Sequence, residues 1–513
     1  MKKREKKNST IKNSIGRAAF AAIVLILQIG WLVMLLTRVS AIPYITLALN
    51  IAALLVVAGI FAQKRNSASK MSWGLLILLL PVLGLSLYFL YGQPWATYSM
   101  RRRFENIAKN LQTLLPQDQN ALQALHQADP AISNQSAYIR NWAKYPVYQN
   151  TQVEFHAQTD AAFEALKAEL RGAKKFIFME YHAIELSQCF MEIEDILAER
   201  AANGVEVRLF YDDIGSFTFI GPNFVQRMEA KGIHCRIFNP IIPIISAFMN
   251  NRDHRKITIV DGRVAFTGGY NLADEYFNVK SPYGHWKDTG VKITGDAVRS
   301  FTVMFLEMWN AVRLADSDYS LYTGLPAPAM SDGFVQPYAD TPLDDERVGE
   351  NVYLNIVKNA KKYVYITTPY LILDDEMASE LVLATKRGVD VRIITPGIPD
   401  KKLVYRLTRL NYSVLVNGGV RIFEYTPGFM HAKQMLADGE AAVVGTINLD
   451  FRSLYLHFEN AVYLYRCACL KDIYEDFERT FPLCRERTED YKRPRSLPIR
   501  ILQSLLRLFS PLL

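Results

Sequence analysis

Two segments of the chain carry the same chemically active side chains at the same spacing. In each segment a lysine follows a histidine by two residues, an aspartate follows the lysine by five, and an asparagine follows the aspartate by ten. The first segment supplies His254, Lys256, Asp261 and Asn271, and the second supplies His431, Lys433, Asp438 and Asn448. Agreement of every interval in two distant places indicates an internal duplication.

The spacing indicates how these side chains are arranged. Residues two apart in a strand point to the same face, so the histidine and the lysine of each segment project together. An Asp-Gly pair after each strand is typical of a hairpin turn, and a glycine after the return strand brings the asparagine back beside them. Two such hairpins face to face would surround a phosphodiester. Cations and amides would stabilise its oxygens, one histidine would attack phosphorus, and the other would protonate the leaving alkoxide without a bound metal.

The duplicated pattern His-x-Lys-x4-Asp-x6-Gly-x-x-Asn resembles that of the phospholipase D superfamily. The residues around it, 251–256 and 428–433, are similar to those of bacterial cardiolipin synthases in particular. The resemblance covers nearly the whole chain. It departs from the family pattern at Gly269 and Thr446, where many superfamily members have serine.

The resemblance implies a phosphatidyltransferase reaction that joins two phosphatidylglycerol molecules into cardiolipin and releases glycerol. His254 would attack the first lipid, forming a phosphatidyl-histidine, while His431 protonates the leaving glycerol and then deprotonates the acceptor hydroxyl. Lys256, Lys433, Asn271 and Asn448 would bind the phosphate. The implied partners are phosphatidylglycerol, cardiolipin and a membrane, with no nucleic acid, no metal and no cofactor.

Each reactive imidazole needs a partner that fixes its tautomer. Superfamily members have an acid after each motif that holds a histidine, often the histidine of the opposite half. The resemblance therefore implies that Glu459 holds His254 and that Asp288 holds His431, with Glu275 as a lesser candidate.

Other residues of the same types receive a structural interpretation. Asp261 and Asp438 belong to the motif and are counted among the candidate catalytic residues. Their position at a hairpin turn nevertheless favours a structural or charge-pairing role. Six further histidines, among them His182 and His457, lack the duplicated context and are assigned no chemistry.

Several other functions share part of the pattern. A phospholipase D hydrolase would pass the intermediate to water, and another phosphatidyltransferase would pass it to a different alcohol; the residues do not separate these reactions. A nuclease would share the histidines, but the chain lacks a basic groove interleaved with aromatic residues. A non-catalytic membrane scaffold is disfavoured because both motifs are complete.

The N-terminal region is predicted to lie in a membrane. After a basic tail, residues 1–17, the region 18–100 contains three apolar stretches, 18–37, 41–63 and 71–92, each long enough for the roughly 20 residues of a spanning helix. The first is interpreted as a retained anchor and not as a signal peptide. A re-entrant hairpin is the alternative for the second and third stretches. The protein is thus expected to be a multi-pass protein of the bacterial cell membrane.

The distribution of basic residues supports both possible orientations of the chain in the membrane. With three spans, ten basic residues lie on the side of the N-terminus and of the loop 64–70, against five on the other side. This difference favours a cytoplasmic N-terminus and an external catalytic domain. The arginine triplet 101–103 and the unpaired cysteines favour the reverse, so both orientations stay open.

Beyond residue 150 the pattern is that of an α/β fold. A strand, a helix and a strand over 174–181, 186–202 and 205–211 recur over 360–366, 375–387 and 389–394. We expect a phospholipase D-like duplicated α/β domain whose halves, 151–330 and 331–490, are related by a pseudo-twofold axis with the active site between them. Residues 101–150 are a helical connector, and the amphipathic tail 491–513 either lies on the membrane or docks on the protein.

Composition excludes some other classes. The net charge is +8, and seven basic residues precede the first apolar stretch, so the excess favours a membrane surface over nucleic acid. The five cysteines, Cys189, Cys235, Cys467, Cys469 and Cys484, show no Cys-x-x-Cys spacing and give neither a disulfide framework nor a zinc site.

Overall fold

The computed structural model describes residues 43–92, 97–240, 250–323 and 333–492, together with scattered positions between 19 and 34. The basic tail 1–17 and most of the first predicted span lie outside these residues, as does the C-terminal tail beyond residue 492.

Apolar helices form the N-terminal region. They are α1 (Pro43–Phe61), α2 (Ser67–Leu79) and α3 (Pro81–Leu87), and a π-helical turn, Tyr88–Gly92, follows them. Among the described residues, α1 is the one helix long and apolar enough to cross a membrane. In place of a continuous helix over 71–92, the structure has two short helices that meet at Leu80, because Pro81 has no N–H to continue the ladder.

The connector folds into helices and joins the catalytic core. Its elements are α4 (Tyr98–Gln112), α5 (Gln119–Ala128), α6 (Pro130–Tyr138) and a π-helical turn, Ile139–Ala143. Asp118 and Asp129 begin the second and third of these helices, each accepting a hydrogen bond from a backbone N–H two residues on. Phe104 of α4 is buried and stacks on Phe458, with ring centroids 5.1 Å apart.

The first half is built on a seven-stranded mixed sheet with the order β1-β9-β7-β6-β2-β3-β4. Strands β2, β3 and β4 are parallel, and the remaining pairs are antiparallel. The elements in chain order are β1 (Thr151–His156), α7 (Thr159–Gly172), β2 (Phe176–Tyr181), α8 (Gln188–Ala202), β3 (Glu206–Asp212), α9 (Asp213–Ser216), α10 (Phe224–Glu229), β4 (Ile233–Phe238), β5 (Arg252–Asp253), β6 (Lys256–Val260), β7 (Val264–Gly268), β8 (His285–Lys287), β9 (Gly290–Gly295), α11 (Val298–Val312) and α12 (Ser320–Thr323).

The second half repeats this plan. Its sheet has the order β10-β17-β16-β15-β11-β12-β13-β18, and β11, β12 and β13 are parallel. The elements are β10 (Phe334–Asp340), α13 (Val348–Asn359), β11 (Tyr363–Thr367), α14 (Asp375–Lys386), β12 (Asp390–Pro396), α15 (Lys402–Asn417), β13 (Arg421–Tyr425), β14 (Gly428–Met430), β15 (Gln434–Ala437), β16 (Ala441–Gly445), α16 (Phe451–Tyr455), β17 (His457–Tyr465), α17 (Cys469–Thr480), a 3-10 turn (Phe481–Leu483), β18 (Cys484–Glu486) and α18 (Thr488–Lys492).

One hydrophobic core joins the halves. Buried side chains of α11, of β10 and of the second sheet belong to the same cluster as buried residues of β2, β6 and β9. A second cluster fills the other face of the first sheet. The predicted α/β fold with two related halves is confirmed.

Candidate active site

Strand pairing between the halves sets the position of both histidines. Strand β5, just before His254, pairs in parallel with the start of β17, just before Glu459. Strand β14, just before His431, pairs in parallel with β8, just before Asp288. The backbone N–H of His254 donates to the Phe458 carbonyl at 2.9 Å. Each motif histidine therefore lies beside an acid from the opposite half.

The acid contacts are direct hydrogen bonds. Nδ1 of His254 lies 2.9 Å from Oε1 and 3.0 Å from Oε2 of Glu459, whose second oxygen also accepts from the Thr446 hydroxyl. Nδ1 of His431 lies 2.6 Å from Oδ2 of Asp288. A carboxylate at Nδ1 fixes the tautomer in which that nitrogen carries the proton. The second nitrogen, Nε2, is then the atom left for chemistry in both rings.

Gly269 and Thr446, the two departures from the family pattern, make different contacts with the acids that hold the histidines. A Cβ atom at Gly269 would lie 2.0 Å from Oδ1 of Asp288, so no side chain fits without moving that carboxylate. The equivalent position in the second half, Thr446, instead donates its hydroxyl to Glu459. The backbone N–H of Thr289, at 2.9 Å, donates to Asp288. Each acid is thus held by a different donor.

Both motif lysines are buried beside their histidines. Nζ of Lys256 donates to the His254 carbonyl at 2.6 Å, and Nζ of Lys433 donates to the His431 carbonyl and lies 2.8 Å from Nδ1 of that ring. Burial lowers the pKa of Lys256 to about 8 and that of Lys433 to about 7. The carboxylates of Glu459 and Asp288 act on both ammonium groups, while each Nζ keeps N–H groups that can donate to a phosphate oxygen.

Burial and these cations also act on the imidazoles. Desolvation, followed by Lys256, Lys433 and His431, lowers the pKa of His254 well below its usual value. Desolvation, followed by Lys433 and Lys256, does the same to the pKa of His431. The strand pairs β5–β17 and β8–β14 bring both motif histidines to the interface between the two halves. His254 is 9% exposed and His431 is 6% exposed, so water has little access to either ring.

The side-chain amides of Asn271 and Asn448 differ in their hydrogen bonding. The Asn271 amide is used within the protein, because its Oδ1 accepts from the Ala183 N–H at 3.1 Å and its Nδ2 donates to the Tyr276 hydroxyl at 2.8 Å. The Oδ1 of Asn448 is buried and has no hydrogen-bond partner among the described residues. A phosphate oxygen needs an N–H donor, so the predicted phosphate-binding role would fall to the amide Nδ2 of each residue, and Asn271 already donates its Nδ2 to Tyr276.

Asp261 and Asp438 lie away from the histidines, at the turns of the hairpins. The Asp261 carboxylate accepts three backbone N–H groups, those of Lys174, Lys175 and Phe176, at 2.7 to 2.9 Å. Asp438 accepts the three equivalent groups of residues 361–363 at the same range of distances. Seven residues of strand and turn span about 23 Å, so Asp261 is far from His254. The contacts support the structural interpretation of these two residues and not a catalytic one.

Two histidines to which the sequence assigned no chemistry flank His254. The His182 ring is 5.0 Å and the His457 ring is 5.5 Å from the His254 ring, between centroids. Nδ1 of His182 contacts the Asp253 carbonyl at 2.7 Å, and Nε2 of His457 lies 3.4 Å from Nε of Arg452. Their one sequence signal is that His182 directly follows β2 and His457 begins β17.

The surroundings of His431 are aromatic instead. Tyr276, Trp286 and Phe429 place their ring centroids 5.4, 5.0 and 5.7 Å from that of His431. Glu275, the lesser candidate for orienting a histidine, precedes Tyr276, and its hydrogen-bonding role at either ring is taken by Glu459 or Asp288. The site therefore has an imidazole-rich wall and an aromatic wall.

His254, His457 and Glu459 bring potential ligand atoms within 4.8 Å of one another, as a metal site would. The Glu459 oxygens are both at hydrogen-bonding distance from Nδ1 of His254, so an ion there would have to displace that proton. The donor set fits orientation of the ring better than it fits metal binding.

Comparison with known proteins shows the family and the fold. The chain matches the family described as cardiolipin synthase, PLD-like domain, over residues 166–309 and 353–481, and the family described as phospholipase D-nuclease N-terminal over residues 48–93. A phosphatidylserine synthase structure from Haemophilus influenzae shares the fold, with a TM-score of 0.56 and 15% identity over 74% of this chain and 98% of that one.

The fold and the paired histidine hairpins define a member of the phospholipase D superfamily. The cardiolipin synthase of Oceanobacillus iheyensis is 32% identical over 91% of this chain and 98% of its own length. That of Halalkalibacterium halodurans is 31% identical over 88% of this chain and 91% of its own length. The chain belongs to the cardiolipin synthase family.

Proposed function

We propose that this protein is a phosphatidyltransferase that converts two phosphatidylglycerol molecules into cardiolipin and glycerol. One observation carries the proposal: each histidine of the duplicated motif is held at Nδ1 by an acid of the opposite half, beside a buried lysine. The cardiolipin synthases that match nearly the whole chain support the choice of lipid.

In the first step, Nε2 of His254 attacks the phosphorus of one phosphatidylglycerol. The bond from phosphorus to the headgroup glycerol oxygen breaks, and His431 gives its proton to that oxygen. Glu459 stabilises the positive charge that develops on the His254 ring, because Nδ1–H donates to its carboxylate. Lys256 and Lys433 stabilise the phosphate oxygens. The product is a phosphatidyl-histidine and free glycerol.

In the second step, a terminal hydroxyl of another phosphatidylglycerol replaces the departed glycerol. His431, now neutral, accepts the hydroxyl proton, and the oxygen attacks the phosphorus of the phosphatidyl-histidine. The P–N bond breaks, His254 is regenerated, and cardiolipin leaves. Asp288 orients His431 through both proton transfers.

Transfer to a lipid hydroxyl is favoured over hydrolysis by the burial of the site. The side chains of His254 and His431 are 11% and 8% exposed, and the His431 side, where the acceptor must bind, is lined by Tyr276, Trp286 and Phe429. Excluding water from a reactive intermediate prevents its hydrolysis. A lipid acceptor can supply the apolar contacts that water cannot.

The protein is also proposed to be a multi-pass protein of the bacterial cell membrane. Helix α1 has the length and composition of a spanning helix, and the apolar stretch 18–37 would supply a second crossing. A membrane position gives the site access to lipid substrates.

The test is incubation of the purified protein with phosphatidylglycerol alone. We expect equal amounts of cardiolipin and glycerol and little phosphatidic acid. With lipid labelled at phosphorus, rapid denaturation in mildly alkaline detergent should trap label on the protein, because the P–N bond is labile in acid and stable at alkaline pH, and His254→Ala should abolish product and trapped label together. Phosphatidic acid as the main product would establish a hydrolase instead, and activity that a chelator abolishes would contradict the metal-free scheme.

A further inference from the structure

Helices α2 and α3 fold back on each other. A Cβ atom at Gly84 would lie 2.5 Å from the Cα atom of Ile77, and the rings of Trp73 and Tyr88 are 5.3 Å apart. Both pairs are centred on the break between Leu80 and Pro81. The two helices are therefore antiparallel arms of a tight hairpin, and only glycine at position 84 permits the backbones to approach so closely.

This hairpin is too short to cross a bilayer. The 13 residues of α2 rise about 20 Å, against an apolar thickness of about 30 Å. The 19 residues of α1 rise about 28 Å. The end of α3 also lies beside the beginning of α2. Nε2 of Gln63, in the turn after α1, donates to the hydroxyl of Tyr88, which follows α3, at 3.2 Å.

The turn after α1 rests on the catalytic domain. Nδ2 of Asn66 donates to Oδ2 of Asp374 and to the Tyr455 hydroxyl, both at 2.9 Å. The Tyr455 hydroxyl in turn lies 2.8 Å from Oε1 of Glu350. The two contacts of Asn66 join residues 308 and 389 positions apart in the chain. The turn 62–66 and the catalytic domain consequently lie on the same side of any membrane that α1 crosses.

We propose that α2 and α3 form a re-entrant hairpin and that the turn 62–66 and the catalytic domain are both cytoplasmic. The side of α1 that holds the catalytic domain then carries three basic residues in the stretch 64–70 and four in the stretch 101–109, against Arg38 alone between the first apolar stretch and α1. The positive-inside rule makes that side cytoplasmic. This arrangement removes the conflict that three full spans create, in which the arginine triplet 101–103 lies outside.

The arrangement also places the active site close to the membrane face. Helix α16 begins after Asp450 and ends at Tyr455, whose hydroxyl accepts from Asn66 in the turn 62–66. His457 follows Tyr455 by two residues. His457 is 3.7 Å from Glu459, which holds His254. Given the proposed function, the enzyme would draw phosphatidylglycerol from the cytoplasmic leaflet and release glycerol into the cytoplasm.

Single cysteines in the full chain test the topology. Ser67, the first residue of α2, and Gln119, in the connector, are exposed, and Ser40 lies between the two apolar stretches in the sequence. With a membrane-impermeant maleimide, Ser67→Cys and Gln119→Cys should react only after spheroplasts are permeabilised, and Ser40→Cys should react in intact ones. The native chain gives the background from its own thiols. Because labelling needs no turnover, the result is readable even if the proposed reaction is wrong.

Two outcomes overturn the proposal. Labelling of Ser67→Cys and Gln119→Cys on opposite sides would require a complete third span, and labelling of both in intact spheroplasts would reverse the orientation. A second measurement tests the contact itself. The pair Asn66→Cys and Asp374→Cys should form an intramolecular cross-link with a short bifunctional thiol reagent, whereas either single variant should not. Failure of the pair to cross-link, with both thiols reactive, would contradict the contact.

Discussion

Replacing Glu459 by glutamine tests the central contact of the site. The change keeps a hydrogen-bond acceptor of similar shape opposite Nδ1 of His254 but removes the negative charge. Two unit charges about 4 Å apart interact by about 4 kcal/mol at an effective dielectric constant of about 20. If that interaction stabilises the charge developing on His254, kcat for cardiolipin formation should fall about 1,000-fold. KM should change little, because the carboxylate faces the imidazole and not the lipid phosphate.

The assay is steady-state conversion of phosphatidylglycerol in mixed micelles, with thermal unfolding in the same detergent as a check on folding. Glu154→Gln is the matched control, since that side chain is 57% exposed and far along the chain from the motif, and it should leave kcat unchanged. Thr446→Val should give an intermediate loss, because it removes a hydrogen bond to Glu459 but not its charge. A Glu459→Gln enzyme within tenfold of the native kcat would refute the electrostatic role of this acid.

Three further changes probe other parts of the site. Gly269→Ser should lower kcat about 100-fold, measured in the same assay, because its Cβ would displace the Asp288 carboxylate that holds His431; unchanged activity would contradict that packing. Burial lowers the pKa of Lys433 to about 7, so its ammonium is present below that pH and lost above it. KM for phosphatidylglycerol should therefore rise between pH 6 and pH 8 on the order of tenfold, and less in Lys433→Arg, which stays charged; equal pH profiles would count against this lysine as the titrating group. Asp261→Ala should reduce the free energy of unfolding by about 3 kcal/mol, seen as a lower Tm, because three backbone N–H groups lose their acceptor; a loss of kcat at full stability would instead revive a catalytic role.

The duplicated fold could be predicted because its signals repeat. The hairpin strands, the parallel strands before them and the order of helices recur in both halves, so each copy supports the interpretation of the other. The structure also places Glu459 at His254 and Asp288 at His431, the pairing that the family resemblance implies. Hydrophobic periodicity alone does not predict that each acid holds the histidine of the opposite half. It follows from the strand pairs β5–β17 and β8–β14, which join residues from opposite halves.

Other features of the site have no periodic signal. His182 and His457 are single histidines at strand ends, and only the meeting of the two sheets brings both beside His254. The third apolar stretch misleads for a different reason. Hydropathy counts apolar residues whether the helix is continuous or broken, and it does not register that Pro81 ends α2 or that Gly84 lets α3 pack back against it.

The different surroundings of the two imidazoles support the proposal that His254 is the nucleophile and His431 the general acid. The neighbours of His254 are His182, whose pKa burial lowers well below its usual value, and His457, whose pKa burial lowers to about 3. Both neighbours are therefore neutral rings, which add no positive charge beside His254 that would reduce the nucleophilicity of its ring. His431 instead lies among electron-rich aromatic rings, which stabilise a nearby cation. Burial, and after it the charges of Lys433 and Lys256, lower the pKa of His431. A phosphate bound between these lysines would offset the part that their charges contribute and so shift the ring toward the protonated form that the leaving glycerol needs.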